Sequence, residues 1–98
     1  MQIAAISHDE FLAHKPLISE AAALLVEELA WYESDDKKVL GIVMRDRSDN
    51  DYSIVVMAHN EGAVRAVDMD VSFGSEDAAA KVLFDKMRAW AQGITYAD

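Results

Sequence analysis

The chain contains no cysteine, which removes disulfides, thiolate metal sites and thiol nucleophiles at once. Proline occurs once, at Pro16, and glycine only four times, so no internal linker is marked and no glycine-rich loop is available to wrap a phosphate. Long apolar runs are also missing. No stretch approaches the ~18 consecutive apolar residues of a membrane helix, and the opening MQIAAIS has neither the basic segment nor the apolar length of a secretory signal. A cytoplasmic location with no membrane partner is the default expectation. The last shortage is of positive charge: nine Lys and Arg stand against eighteen Asp and Glu, a formal net charge of −9. Phosphate backbones and anionic lipid are bound through excess Lys and Arg, so direct nucleic-acid binding is not expected either.

What remains is a globular composition. Apolar residues make up 52% of the chain and charged ones 28%, enough to build a core and to keep its surface soluble. At 98 residues the expectation is a single domain spanning positions 1–98. The acids are unevenly spread, with eight of them and only three bases in residues 1–38.

Along the chain, ISHDEF is a helix start: Ser7 can cap Glu10, Glu10 can reach back to Ser7, and Ile6 precedes Phe11 as a hydrophobic staple. The pattern predicts a helix from His8 to Lys15 and, after a change of direction at Pro16, a second from Pro16 to Tyr32. Projected at ~100° per residue, Ile18, Ala21, Ala22, Leu25, Leu29 and Tyr32 make one apolar stripe of that second helix, with Trp31 at its margin. Three β-branched runs follow, at 39–45, 52–59 and 64–73, joined by short polar connections. A three-residue turn at Gly62 would set His59 opposite Ala63 and Val55 opposite Val67. A final helix is capped by Ser75, stopped by Gly93 and striped by Ala79, Val82, Leu83, Met87 and Trp90. The expected fold is α+β, in the order α-α-β-β-β-α, with a three-stranded antiparallel meander packed against helices.

The stretch RDRSDNDYS, residues 45–53, resembles a calcium loop until it is counted. From Asp46 the sixth position is Asp51 and the twelfth Met57; from Asp49 they are Ile54 and Asn60, so both frames lack the glycine and the glutamate that such a loop requires. As a turn the stretch needs nothing further, because Ser48, Asp49 and Asn50 bond locally to the backbone. His8, His14 and His59 are not at metal-ligand spacing. No nucleophile elbow, acid–base pair or cofactor loop is present, so no catalytic residue, metal or cofactor is assigned.

Two features stand out. Residues 27–36, EELAWYESDD, surround Trp31 with Glu27, Glu28, Glu33, Asp35 and Asp36, and an aromatic anchor among like charges suits a basic protein partner. Asp46, Asp49 and Asp51 form a second acidic edge. The sheet, moreover, has two apolar faces, and a face left without a helix would take a second copy or another protein. The expectation is a non-enzymatic domain of the inhibitor, immunity-type or accessory-subunit kind, binding a partner with a basic surface. A DNA-mimic inhibitor is the alternative, although Lys37, Lys38, Arg45 and Arg47 interrupt the acid clusters. A small enzyme with a carboxylate site ranks last.

Overall fold

Six consecutive residues, Val39 to Met44, are buried. A strand hidden on both faces must also have both of its main-chain edges paired, and the fold answers that demand. The computed structural model describes residues 2–93. Its elements are β1 (Ile3–Ile6), α1 (His8–Leu12), α2 (Glu20–Ala23), β2 (Val26–Ser34), β3 (Val39–Asp46), β4 (Tyr52–Asn60), β5 (Ala63–Phe73) and α3 (Glu76–Ala91). The strands make one antiparallel sheet in sequence order, β1-β2-β3-β4-β5. This is an α+β domain, as composition and patterning predict.

α3 covers one face. Ala79, Leu83 and Met87 are fully buried there against Val39, Val43, Ile54 and Val56, with Tyr32 and Phe73 packed at the margins. Ser75 caps the helix by accepting from Ala78 N–H at 3.1 Å. The second face is covered less completely. Phe11 of α1 buries its ring among Leu40, Ile42, Met57 and Val64, and the short α2 buries nothing. The capping box at Ser7 and Glu10 is formed, with both bonds at 3.1 Å.

The order differs from the expected α-α-β-β-β-α in three places. The sheet has five strands rather than three, because β1 is an added edge and β2 replaces most of the expected Pro16–Tyr32 helix. Pro16 does not open a helix; it bridges in parallel to Val64, and α2 starts later, at a Ser19 cap. α1 ends at Leu12 rather than Lys15, and Lys15 takes a left-handed φ of 53°. The physical reason for β2 is the edge of β3: an interior strand takes its main-chain partners from wherever the chain can supply them, and local helical spacing does not outweigh that.

The β4–β5 hairpin also differs by one position. Asn60 pairs with Ala63 and His59 with Val64, so Glu61 and Gly62 form a two-residue turn with φ values of 54° and 79°. Both turn residues at positive φ match the right-handed twist of the flanking strands. Further along, Val67 and Ser72 are extra residues in the ladder, so Val67 and Phe73 face α3 while Met69 faces the opposite side.

Candidate functional site

The less covered face holds an apolar concavity. Leu17, Ile18 and Ala22 from the segment around α2 form its outer wall, and Val26, Met44, Val55, Met57 and Met69 of the sheet form its floor. The cavity holds about 280 Å³, and among the described residues Glu28 is the one charged residue lining it. The segment over it is lightly fixed at its two ends, by Leu17 N–H to the Val64 carbonyl at 2.9 Å and by Arg47 N–H to the Leu25 carbonyl at 3.1 Å. Of the residues that line it, Leu17 is 55% exposed, Ile18 43% and Met69 62%, and Leu24, Leu25 and Val71, their near neighbours in the chain, are exposed as well. Single exposed apolar residues need no explanation, but several beside an apolar cavity mark a candidate contact surface.

The other end of the same face belongs to the histidines. The His8 ring stacks on Trp31 with centroids 4.6 Å apart and an interplanar angle of 16°. His8 also lies 3.9 Å from Glu28, and His14 meets Glu33 at 2.5 Å with His59 edge-on to it. α1 and the residue stretch behind it are therefore held to the sheet by Phe11 and to β2 by two histidine–glutamate contacts.

The acids singled out from the sequence do not gather in one place. Glu27, Glu28 and Glu33 lie along β2, each facing a partner in the chain: Arg45, His8 and His14. Asp35 and Asp36 sit in the β2–β3 turn; at the opposite end of β3, Asp46 is its last residue and Asp49 and Asp51 lie in the β3–β4 turn. Trp31 is on β2, partly buried among the residues around Phe11 with His8 against its ring. The apolar opening around Leu17 and Met69 was not singled out. Its signal in the sequence is LISEAAALL, whose Ile18, Ala21, Ala22 and Leu25 read as the core stripe of a helix.

Local bonding explains the turns. Asp36 accepts from Ser34 Oγ at 2.6 Å and from Lys38 N–H at 3.1 Å, and these bonds, the hydroxyl first, hold its carboxyl below the ordinary value. Asp46 is lowered in the same way by the hydroxyl and N–H of Ser48. Asp49 accepts from Asp51 N–H at 2.9 Å. RDRSDNDYS is thus a self-bonded turn, with Asn50 at a φ of 61°. Burial pushes the Tyr32 phenol up, helped by the nearby Glu76 carboxylate, and Glu27 holds the Arg45 guanidinium above its ordinary value.

A second concavity, of about 620 Å³, lies near Lys37, Lys38, His59 and Trp90. Beside it Asp68 accepts from Lys86 Nζ at 3.2 Å and from the Trp90 indole N–H at 3.1 Å, which fixes the end of α3 to β5. Among the described residues no group of three or more His, Cys, Asp or Glu side chains is arranged to hold a metal, and no helix is long and apolar enough to cross a membrane. No family model matches the chain, and comparison with curated proteins and with solved structures finds no match to it.

Proposed function

We propose that this chain is a non-enzymatic protein-interaction domain that holds a partner on the incompletely covered face of its sheet. The observation that carries the reading is the exposed apolar set that lines the cavity, Leu17, Ile18 and Met69, with the exposed Leu24 and Leu25 next in the chain, in a structure whose α2 buries none of its residues. Aliphatic side chains in water next to an apolar hollow are stabilised by a partner that supplies matching ones. The net charge of −9 selects a partner with a basic rim, and Glu28 inside the cavity adds a local attraction for a cation. The anchor contacts move from Trp31, which His8 covers, to Leu17, Ile18 and Met69. The acids Glu27, Glu33, Asp35, Asp36, Asp46, Asp49 and Asp51 contribute to the field that draws the partner in, and not to the centre of contact.

An inhibitor, an immunity-type factor and an accessory subunit share this surface chemistry. A test uses two synthetic amphipathic peptides with the same leucines, one with lysine and one with glutamate at the polar positions, titrated calorimetrically against the domain. The lysine peptide binds, more weakly as salt rises, and the glutamate peptide does not. Met69→Asp lowers that affinity tenfold or more with an unchanged melting temperature. Equal affinity for the two peptides, or an unaffected Met69→Asp variant, would remove this reading.

A further inference from the structure

We infer that the partner engages as an added β-strand along the outer edge of β5, beyond Val64, with apolar and basic side chains in alternation. This rests on the protein-interaction reading above and specifies its geometry. β5 is the last strand of the described sheet, and Pro16 and Leu17 meet its outer edge at Val64. The edge is already used once by the chain itself, since Leu17 N–H donates to the Val64 carbonyl at 2.9 Å. Beyond that point, Val71 N–H donates to Oδ1 of its neighbour Asp70 at 2.9 Å, and no described strand adjoins it on the outer side. The pleat repeats every two residues, so Met69 presents its main-chain groups on the same outward side as Val71.

Natural edges are blunted by Lys, Pro or bulges. Here the bulges at Val67 and Ser72 bound the run, and between them stand only Asp68, Met69, Asp70 and Val71. A short strand of about five residues fits that length. Its side chains are set by the two faces of β5. Met69 lies on the cavity side, opposite Val55, so its neighbours on the added strand extend the apolar surface. Asp70 lies opposite Ile54, on the α3 side, and is exposed, so a Lys or Arg beside it gains an ion pair across the strands. Asp68 on that side is already occupied by Lys86 and Trp90. A second copy of the chain would bring another Asp70 and another charge of −9, which makes a basic partner the better occupant.

The test titrates the domain with three labelled peptides of about seven residues. The first alternates valine with lysine, the second has the same composition in two blocks, and the third is the alternating peptide N-methylated on the amides of every second residue. Binding is read by fluorescence anisotropy, and amide exchange at Met69 is followed by NMR. The alternating peptide binds at least tenfold more tightly than either control and slows exchange at the Met69 amide. Equal binding of all three, no binding of the alternating peptide at millimolar concentration, or binding without protection at Met69 overturns the added strand. If the N-methylated peptide binds as well as its parent and Met69→Asp still abolishes binding, the apolar face remains the docking surface and only the strand geometry falls. If Met69→Asp has no effect either, both readings fall together.

Discussion

Gly41 of β3 lies directly under Met87 of α3: a β-carbon built on Gly41 would come within 2.5 Å of Met87 Sδ and 2.9 Å of Leu83 Cδ1. The helix sits this close to the sheet because one strand position beneath it has no side chain. Met87 and Leu83 are fully buried, so neither has an open space into which to retreat.

Gly41→Ala therefore overpacks the α3 face. The expected loss is about 1–3 kcal/mol of unfolding free energy, measured by denaturant titration with an unchanged m-value. Repacking offers an internal check. Met87→Ala added to Gly41→Ala makes room for the new methyl, so the double variant should lose less than the sum of the two single ones.

Below the carboxylate range, stability should fall in part through the β2–β3 turn. The Asp36 carboxyl is lowered in the folded state by the Ser34 hydroxyl and then by Lys38 N–H. A carboxyl with a depressed folded pKa stabilises the fold above its unfolded value, about 4, and that contribution disappears as pH falls through the folded value. Asp46, held down by Ser48, acts in the same direction. Ser34→Ala should raise the Asp36 pKa toward its ordinary value in an NMR titration. Ser34 Oγ also accepts from Val39 N–H at 3.1 Å, so the variant should be less stable at neutral pH as well.

α3 was legible because its stripe has one period from end to end, and a cap and a stop bracket it. The β3 and β4 runs were legible from their β-branched composition. β2 was not, and the cause is a bulge. Leu29 is an extra residue between Glu28 and Ala30, so Glu28 and Trp31 share a face although they are three residues apart. Three is a helical spacing and not a strand spacing, so the bulge gives the sequence the look of a helix. The same happens in β5, where Ala66 and Met69 reach the same cavity across the extra Val67. Of the candidate site, the charge was readable, but the apolar opening was not. Which leucines of residues 17–25 are left in solvent depends on how far the rest of the chain covers them, and that is a tertiary outcome.

Trp31 separates packing from recognition. Its ring lies between the stacked His8 and the cluster around Phe11, and its indole N–H is buried without a hydrogen-bond partner among the described residues. Removing the ring therefore carries two opposing effects. Trp31→Ala loses the packing of a large aromatic and should cost about 2–4 kcal/mol, near the lower part of the range for such truncations because the site is only partly buried. Trp31→Phe keeps a ring for His8 to stack on and removes the unsatisfied donor, whose burial alone costs about 1–3 kcal/mol. That gain offsets much of the lost volume, and the phenylalanine variant should melt within a few degrees of the parent. Both variants are compared by thermal melting and by titration with the lysine peptide. If Trp31→Phe proves as destabilising as Trp31→Ala, the indole nitrogen has a partner and its burial carries no penalty for phenylalanine to relieve. If Trp31→Phe melts like the parent but loses the peptide, the aromatic is an anchor after all, and the contact surface extends from Met69 across the sheet to β2.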